Sequence, residues 1–450
     1  MQELQDKEPD LLEAVVDSIE SEDNQALTQT LEDLQPGDIA HVLESLPPSE
    51  REPVWECLEP ETRGEVLVEL RDEVRETVIE QMSTRELMQA IEDLDAGELA
   101  YILDSMPEQA VPAILASLDH LDRARLEQTL SYPEDTAGRL MDSELISVRP
   151  NVTVDVVLRY LRRHEEIPPH TDSLMVVDKS NAFIGTLPLA RLLTAQVDVS
   201  VGELTDTEAD RVKVDTPAED VSALFERHDL VSLAVVDDHN KLLGRITVNE
   251  IVDFIHEEAD QTLLNMAGLD QDDDLFAPVL PSARRRAVWL GINLGTAFLA
   301  AYVIGLFEAT LQQVVALAVL MPIVASMGGI AGSQTLTLAI RGLALQQISA
   351  TNARWLALKE LAVGALNGLI WAVVVGVLAI VWFGDWRIGA IIAAAMMLNL
   401  LAAAAAGIAV PLLLDRLDLD PALSGSVILT TVTDVVGFMS FLGLGTLFLL

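Results

Sequence analysis

Residues 421–450 read PALSGSVILTTVTDVVGFMSFLGLGTLFLL, with a single charged residue, Asp434, in the middle. About 20 apolar residues are enough for a helix to cross the hydrocarbon core of a bilayer. A carboxylate at that depth costs roughly 2.5 to 3.5 kcal/mol and is normally kept where it faces a partner, a cavity or an ion path. The stretch therefore predicts a membrane span, with Asp434 as an ion-pathway ligand.

Four further apolar stretches precede it, near residues 287–307, 313–340, 356–383 and 388–414, and the last span runs near 421–448. Basic residues flank one side of this set: Arg284 to Arg286 stand before the first span, and Arg341, Arg354, Lys359 and Arg416 fall in the second and fourth connections. The positive-inside rule then predicts a cytoplasmic N-terminal part and, with five spans, a C-terminus outside the cell membrane.

Charge divides the chain in two. Only seven of the 71 acidic and five of the 28 basic residues follow residue 286, so the first 286 residues carry a net charge of −41. This excess excludes nucleic acid as a partner, because phosphate binding needs a basic surface, and it favours cations. Adaptation of the surface to a salt-rich cell is the alternative interpretation. The single cysteine, Cys57, leaves no intrachain disulfide.

The second and fifth spans are rich in small and hydroxyl-bearing residues. Residues 321–334 read MPIVASMGGIAGSQ, which predicts either close helix packing or an unwound segment whose carbonyls face a pore. Ser426 and Thr430 lead into Asp434, and hydroxyl and carboxylate oxygens suit a hard, hydrated cation such as Mg²⁺. Because one aspartate cannot enclose an ion, a symmetric homodimer that pairs two copies is the expected arrangement.

The soluble part begins with an internal repeat. LEDLQPGDIAHVLESLP at 31–47 recurs as IEDLDAGELAYILDSMP at 91–107, with apolar residues at helical spacing between proline-marked breaks. This pattern predicts stacked helix pairs, a short all-α solenoid.

After Pro133 the pattern changes to two successive units, each an extended run, a helix and two apolar strands. In the second unit these are Arg211–Thr216, the helix Ala218–His228, Leu233–Asp237 and Leu242–Thr247. The units resemble a tandem pair of CBS domains, which implies an adenosine ligand such as ATP or regulation of a neighbouring module. Thr247 and Asn249 match the nucleotide signature of that family only with a shortened spacing, and the first unit does not match it.

A strongly acidic segment follows the second unit. Glu250, Asp253, Glu257 and Asp260 are spaced by three or four residues, with Glu258 adjacent, so a helix places them on one face. Their mutual repulsion predicts either a divalent-cation sensor or a solvated helix in a salt-rich cell.

The order of these parts resembles the MgtE family of magnesium channels across nearly the whole chain. Met321-Pro322, Gly328-Gly329, Gly332-Ser333-Gln334, Asp420-Pro421 and Thr433-Asp434 carry the resemblance. It implies a homodimer whose paired fifth spans line a pore, with Asp434 holding a hydrated Mg²⁺. It also implies that cytosolic Mg²⁺ closes the pore by bridging acidic residues, and by position these are Glu65, Glu219, Asp229, Glu250, Asp253, Glu258 and Asp420.

Several positions depart from the family pattern. Ile330 replaces the asparagine of a Gly-Gly-Asn motif, Gly97 and Tyr101 stand where solenoid acids are expected, and Gln261 and Thr262 replace acids of the connecting helix. These changes imply altered ion preference and weaker gating by Mg²⁺. A channel for another divalent ion, such as Co²⁺ or Mn²⁺, and a membrane-tethered CBS sensor without conduction are the alternatives.

The sequence thus predicts a multidomain membrane protein that binds divalent cations within a lipid bilayer and is not an enzyme. The predicted parts are an acidic helical solenoid at 1–132, CBS domains at 133–200 and 201–248, an acidic connecting helix and linker at 249–280, and a five-helix transmembrane domain at 281–450.

Overall fold

The computed structural model describes residues 7–21, 23–32, 34–92, 94, 96–106, 110–118, 120–163, 167–269, 275–349, 351–417 and 419–450. Two compact units are present. One contains the described residues up to Glu258 together with 275–277, and the other contains residues 259–269 and the described residues from Pro278 onward.

The described residues of the N-terminal domain, which is the predicted all-α solenoid, contain ten α-helices. Proline begins three of them, where its missing N–H costs no helical hydrogen bond, and Ser83 and Glu86 form a reciprocal capping box at another. Ile39, Leu43 and Leu99 belong to one continuous apolar core. The closing residue of the predicted repeat, Pro107, lies outside the described residues. The helices are α1 (Lys7–Glu20), α2 (Asn24–Glu32), α3 (Pro36–Glu44), α4 (Pro48–Glu56), α5 (Pro60–Glu69), α6 (Asp72–Gln81), α7 (Thr84–Ala90), α8 (Ala96–Ile102), α9 (Val111–Ser117) and α10 (His120–Thr129).

The two CBS units have the same fold. In each sheet the first strand pairs parallel to the second and the third pairs antiparallel to it. The first unit contains α11 (Ala137–Leu140), β1 (Ser147–Val148), α12 (Val154–Leu161), β2 (Ser173–Val177), β3 (Phe183–Pro188) and α13 (Leu189–Thr194). The second contains α14 (Val201–Leu204), β4 (Arg211–Lys213), α15 (Ala218–His228), β5 (Ser232–Val236) and β6 (Leu242–Thr247).

Reciprocal contacts join the two CBS units. Asn181 donates to the Leu242 carbonyl at 3.1 Å, and Asn240 donates to the Phe183 carbonyl at 2.8 Å. Both asparagines adopt a positive φ, as their turns require. Val177 and Val236 belong to a core shared by the two units. The pair therefore forms one body with internal twofold character.

The connecting helix is α16 (Val248–Met266), and it occupies the first part of the segment at 249–280 that was predicted to contain a helix and a linker. Gly268 follows it with a φ of 71°, a left-handed conformation that glycine adopts without a Cβ clash and that commonly ends a helix.

Among the described residues, five helices are long and apolar enough to cross a membrane, in agreement with the sequence prediction. The first begins at Val279 instead of near residue 287, because its helical structure continues through the polar arginine turns that hydropathy does not detect. A short helix, α18 (Glu308–Gln313), follows it. The spanning helices are α17 (Val279–Gly305), α19 (Val315–Ala344), α20 (Ala353–Phe383), α21 (Trp386–Asp415) and α22 (Pro421–Leu449).

Glycines bring the membrane helices close together. A Cβ on Gly332 would lie 2.9 Å from Leu429, and one on Gly407 would lie 3.0 Å from the Gly332 carbonyl oxygen. Helix α19 stays unbroken through this region, including Pro322. The alternative of an unwound segment with free carbonyls is therefore wrong, because the helix is continuous here and Gly328 and Gly332 serve close helix packing.

Candidate functional site

An open groove of about 1020 Å³ lies along helices α19 and α22. Ser326, Ile330 and Ser333 line one side of it at helical spacing, and Thr430 and Asp434 line the other. Ser426 is half-buried one turn before Thr430 and is not among the lining residues. Of the three pore ligands predicted from the sequence, Thr430 and Asp434 line this groove, and Ser426 lies one turn outside it.

The Asp434 carboxylate faces the groove, and no side chain among the described residues forms a hydrogen bond or an ion pair with it. Glu360 provides the comparison within the membrane half. That carboxylate is buried, pairs with Lys359 and accepts a hydrogen bond from Thr335 at 3.3 Å. Glu360 is thus neutralised by the protein itself, whereas Asp434 keeps its oxygens available to a cation in the groove.

Two hydroxyl groups of the groove are held by hydrogen bonds within their own helices. Thr430 donates to the Ser426 carbonyl at 2.8 Å, and Ser333 donates to the Gly329 carbonyl at 2.9 Å. Each hydroxyl oxygen therefore presents its lone pairs outward, in a fixed direction. Ile330 is 58% exposed and contributes only apolar surface.

The acidic face of α16 approaches the solenoid. Burial raises the pKa of the Asp253 carboxyl, and the charges of Glu69 and Glu250 raise it further, while His256 opposes the shift. Glu69 belongs to α5 and was not predicted as a site residue. Glu69 could have been found from the sequence, because it follows Glu65 by four residues and a helix places both on one face.

Tyr101 makes a direct contact with α16. Its hydroxyl donates to Glu257 Oε1 at 2.6 Å, and the guanidinium carbon of the buried Arg75 lies 4.6 Å from the centre of the Tyr101 ring. Burial raises the pKa of Glu257, the Tyr101 hydrogen bond lowers it, and Asp72 raises it. A neutral hydroxyl therefore joins the solenoid to α16 at a position where a carboxylate was expected.

The remaining predicted sensor residues are dispersed. Glu65, Glu219 and Asp229 are exposed. Glu250 accepts hydrogen bonds from the Thr247 amide at 2.7 Å and from its hydroxyl at 2.6 Å, which caps α16. Within the described ranges, no three His, Cys, Asp or Glu side chains are grouped so that they could hold a metal ion.

Asp420 caps the helix that carries Asp434. Its Oδ1 accepts from the Ala422 amide at 2.7 Å, and its Oδ2 accepts from Asn265, in the last turn of α16, at 2.8 Å. The end of the connecting helix is thus bonded to the start of α22.

The predicted nucleotide residues already have protein partners. The Thr247 hydroxyl is engaged by Glu250, and Asn249 Nδ2 lies 3.0 Å from His170 Nε2. Binding of ATP by the CBS pair stays a prediction from the sequence.

Comparison with protein families assigns a function to this arrangement. Residues 321–444 match the MgtE divalent cation transporter family, residues 34–135 match the MgtE intracellular N domain, and residues 137–198 and 201–257 match CBS domains. The chain is 33% identical over 335 residues to the magnesium transporter MgtE of Thermus thermophilus, with 74% of each chain covered. The chain belongs to the MgtE family of magnesium transporters.

A second MgtE, from Bacillus subtilis, is 28% identical over 335 residues, again with 74% of each chain covered. A crystal structure of the cytosolic domain of the Mg²⁺ channel MgtE in complex with ATP is 30% identical, with a TM-score of 0.49, and covers 54% of this chain and 99% of the solved one. Family membership and the five apolar helices make this chain a multi-pass protein of the cell membrane, and the domain order supports Mg²⁺ transport.

We expect Tyr101→Phe to loosen α16 from the solenoid in Mg²⁺-free buffer. Loss of one hydrogen bond removes about 1 kcal/mol, which corresponds to roughly fivefold faster amide exchange near Glu257 if exchange follows local opening. Hydrogen exchange detected by mass spectrometry measures this change. Tyr132→Phe is the matched control, because the Tyr132 hydroxyl accepts from Gln128 Nε2 in its own segment, and the described residues offer it no other hydrogen bond. Equal exchange in the two variants would show that the contact with Glu257 does not hold α16.

Proposed function

We propose that this protein is a Mg²⁺-selective channel whose pore is lined by α19 and α22, with Asp434 as its principal ion ligand. The observation that carries the proposal is the Asp434 carboxylate, which faces a groove and has no hydrogen-bonding or ionic partner among the residues that the structure describes. Such a carboxylate is costly at membrane depth unless a cation balances its charge during transport. A CBS sensor that does not conduct ions would not require a carboxylate at this depth in the membrane.

The groove is open along one side, so a single chain does not enclose an ion path. Pairing two grooves about a twofold axis closes the path and places two Asp434 carboxylates opposite each other. The proposed active unit is therefore a homodimer. Two carboxylates balance the charge of one divalent ion at that level.

The lining chemistry favours a hydrated ion. Mg²⁺ gives up its water ligands reluctantly, and the groove offers one carboxylate and a few fixed hydroxyl oxygens per chain, among mostly apolar residues. The Asp434 carboxylate and the Thr430 and Ser333 oxygens would accept hydrogen bonds from the water ligands of the ion. Transport would then require little dehydration.

The cytosolic regulation would use α16. Glu69 and Asp253 repel each other in the absence of a cation, so a bridging Mg²⁺ would stabilise their close approach. Because the last turn of α16 donates to Asp420 at the start of α22, occupancy of the acidic face can be transmitted along one helix to the pore. We propose that high cytosolic Mg²⁺ closes the channel in this way.

The basic residues set the proposed orientation. Arg284 to Arg286 precede the apolar part of α17, and Arg341 and Arg354 flank the connection between α19 and α20. Under the positive-inside rule this side is cytoplasmic. The N-terminal domains are then in the cytosol and the C-terminus is outside.

Divalent-ion uptake into proteoliposomes, with Mg²⁺, Mn²⁺, Co²⁺ and Ca²⁺ compared side by side, tests the proposed function. We expect Mg²⁺ uptake to exceed that of the other ions. Faster Mn²⁺ or Co²⁺ uptake would favour a channel for another divalent ion, and uptake equal to protein-free vesicles would contradict conduction.

We expect Ile330→Asn to tighten the apparent Mg²⁺ affinity of uptake several-fold. The added amide oxygen can accept a hydrogen bond from a water ligand of the ion, a contact that contributes roughly 0.5 to 1.5 kcal/mol. Leu338→Asn, another apolar residue lining the groove, is the control. Unchanged affinity and unchanged preference over Ca²⁺ would show that position 330 does not contact the ion path.

A further inference from the structure

Asn399 is a polar residue in the centre of the membrane domain. It lies on α21, its side chain is fully buried, and Nδ2 donates to the Val324 carbonyl on α19 at 2.9 Å. Its Oδ1 has no hydrogen-bond partner among the described residues. Burying an amide with an unmade hydrogen bond costs roughly 1 to 3 kcal/mol of folding free energy. An apolar side chain at this position would not carry that cost.

Both groove-lining helices carry a glycine against this amide. A Cβ on Gly328 of α19 would lie 2.2 Å from Asn399 Nδ2, and a Cβ on Gly437 of α22 would lie 2.8 Å from the same atom. Neither position accepts a larger residue while the amide is present. The amide is thus wedged between the backbones of α19 and α22.

These contacts lie directly behind the groove. Gly328 precedes Gly329, which lines the groove, and Gly437 lies less than one helical turn after Asp434. The Val324 carbonyl precedes the groove residues Ala325 and Ser326. A single side chain on the most buried membrane helix therefore contacts both walls of the groove at the depth of its carboxylate.

We propose that Asn399 is a positioning residue for ion selectivity, which fixes the separation of α19 and α22 and hence the distance from Asp434 to the opposite wall. The hydrogen bond to the Val324 carbonyl is directional, so it restricts α21 to one register against α19. An apolar side chain has no directional contact and would allow small shifts between the two helices. Mg²⁺ holds its water ligands in a near-ideal octahedron of fixed size, so a groove of fixed width matches hydrated Mg²⁺, whereas Ca²⁺ accepts variable distances and coordination numbers. Loosening the walls therefore disfavours Mg²⁺ more than Ca²⁺. This inference rests on the proposed transport function.

Asn399→Leu tests the proposal, because leucine has the same branching and number of heavy atoms as asparagine and no hydrogen-bonding group. We expect the variant to form the same oligomer and to transport ions, with the ratio of Mg²⁺ to Ca²⁺ uptake lowered roughly three- to tenfold, the equivalent of one hydrogen bond. Asn367→Leu is the matched control, an amide on α20 that is exposed and lies outside the groove. An Asn399→Leu ratio within twofold of the control would overturn the proposal.

A second variant covers the case in which leucine prevents folding. The double variant Gly328→Ala and Asn399→Ala moves a methyl group into the space that the amide leaves, so packing is partly restored without the hydrogen bond. We expect it to fold and to show the same loss of selectivity. If the double variant keeps the Mg²⁺ to Ca²⁺ uptake ratio of the wild type, the positioning role of Asn399 is overturned and the transport function is not. If the wild-type protein takes up no Mg²⁺, the transport function is overturned and this inference with it.

Discussion

We expect Asp434→Ala to lower Mg²⁺ uptake by at least about tenfold while the protein stays folded. A hydrogen bond to a charged group contributes roughly 1.5 to 3 kcal/mol, and each 1.4 kcal/mol is a factor of ten in binding. In the proposed homodimer the substitution removes the Asp434 carboxylate from both protomers. Removal of an unpaired carboxylate from the membrane also relieves an insertion cost, so the melting temperature should not fall. Uptake into proteoliposomes and thermal unfolding in detergent measure the two effects.

Asp415→Ala is the matched control for this substitution. Asp415 ends α21, is exposed and does not line the groove, so its removal changes the net charge of the same half equally. Asp434→Asn should behave like the alanine variant, because the amide keeps the size but not the charge. Selective Mg²⁺ uptake retained in both Asp434 variants would contradict the pore assignment.

The second large effect concerns the acidic face of α16. We expect Mg²⁺ to protect the N-terminal half from proteolysis far more than NaCl at the same ionic strength, because the proposed bridging ion would bind only the docked arrangement. Asp253→Asn should remove most of this difference by abolishing the repulsion with Glu69 and Glu250. Glu226→Gln, on the exposed surface of α15, serves as its control. Equal protection by the two salts would indicate generic screening.

Protons should substitute for Mg²⁺ at this face. The pKa values of Asp253 and Glu257 are raised when α16 is docked, so the docked state binds protons more tightly than the undocked one. Docking is therefore favoured as the pH falls below the raised pKa values, and this contribution is lost as the pH rises through them. We expect the Mg²⁺-dependent gain in protection to be larger at pH 7.5 than at pH 5. A gain that is independent of pH would contradict this mechanism.

The sequence by itself determined the order of the parts and the number of spans. Hydropathy and length decide whether a helix can cross a bilayer, and the helix Ala218–His228 was predicted with the bounds found in the structure. Asp434 and Thr430 could be identified because a polar residue within an apolar stretch is conspicuous without any knowledge of its neighbours. These are local properties of the chain.

Only the tertiary structure decided which side chains meet. The approach of Glu69 to Asp253 and the hydrogen bond between Tyr101 and Glu257 join residues far apart in sequence. The sequence did not predict a role for Asn399, because one amide among apolar residues does not indicate which helices it contacts. Its importance comes from Gly328 and Gly437, which the fold brings to either side of it. Contacts of this kind depend on helix packing, which hydropathy and spacing do not encode.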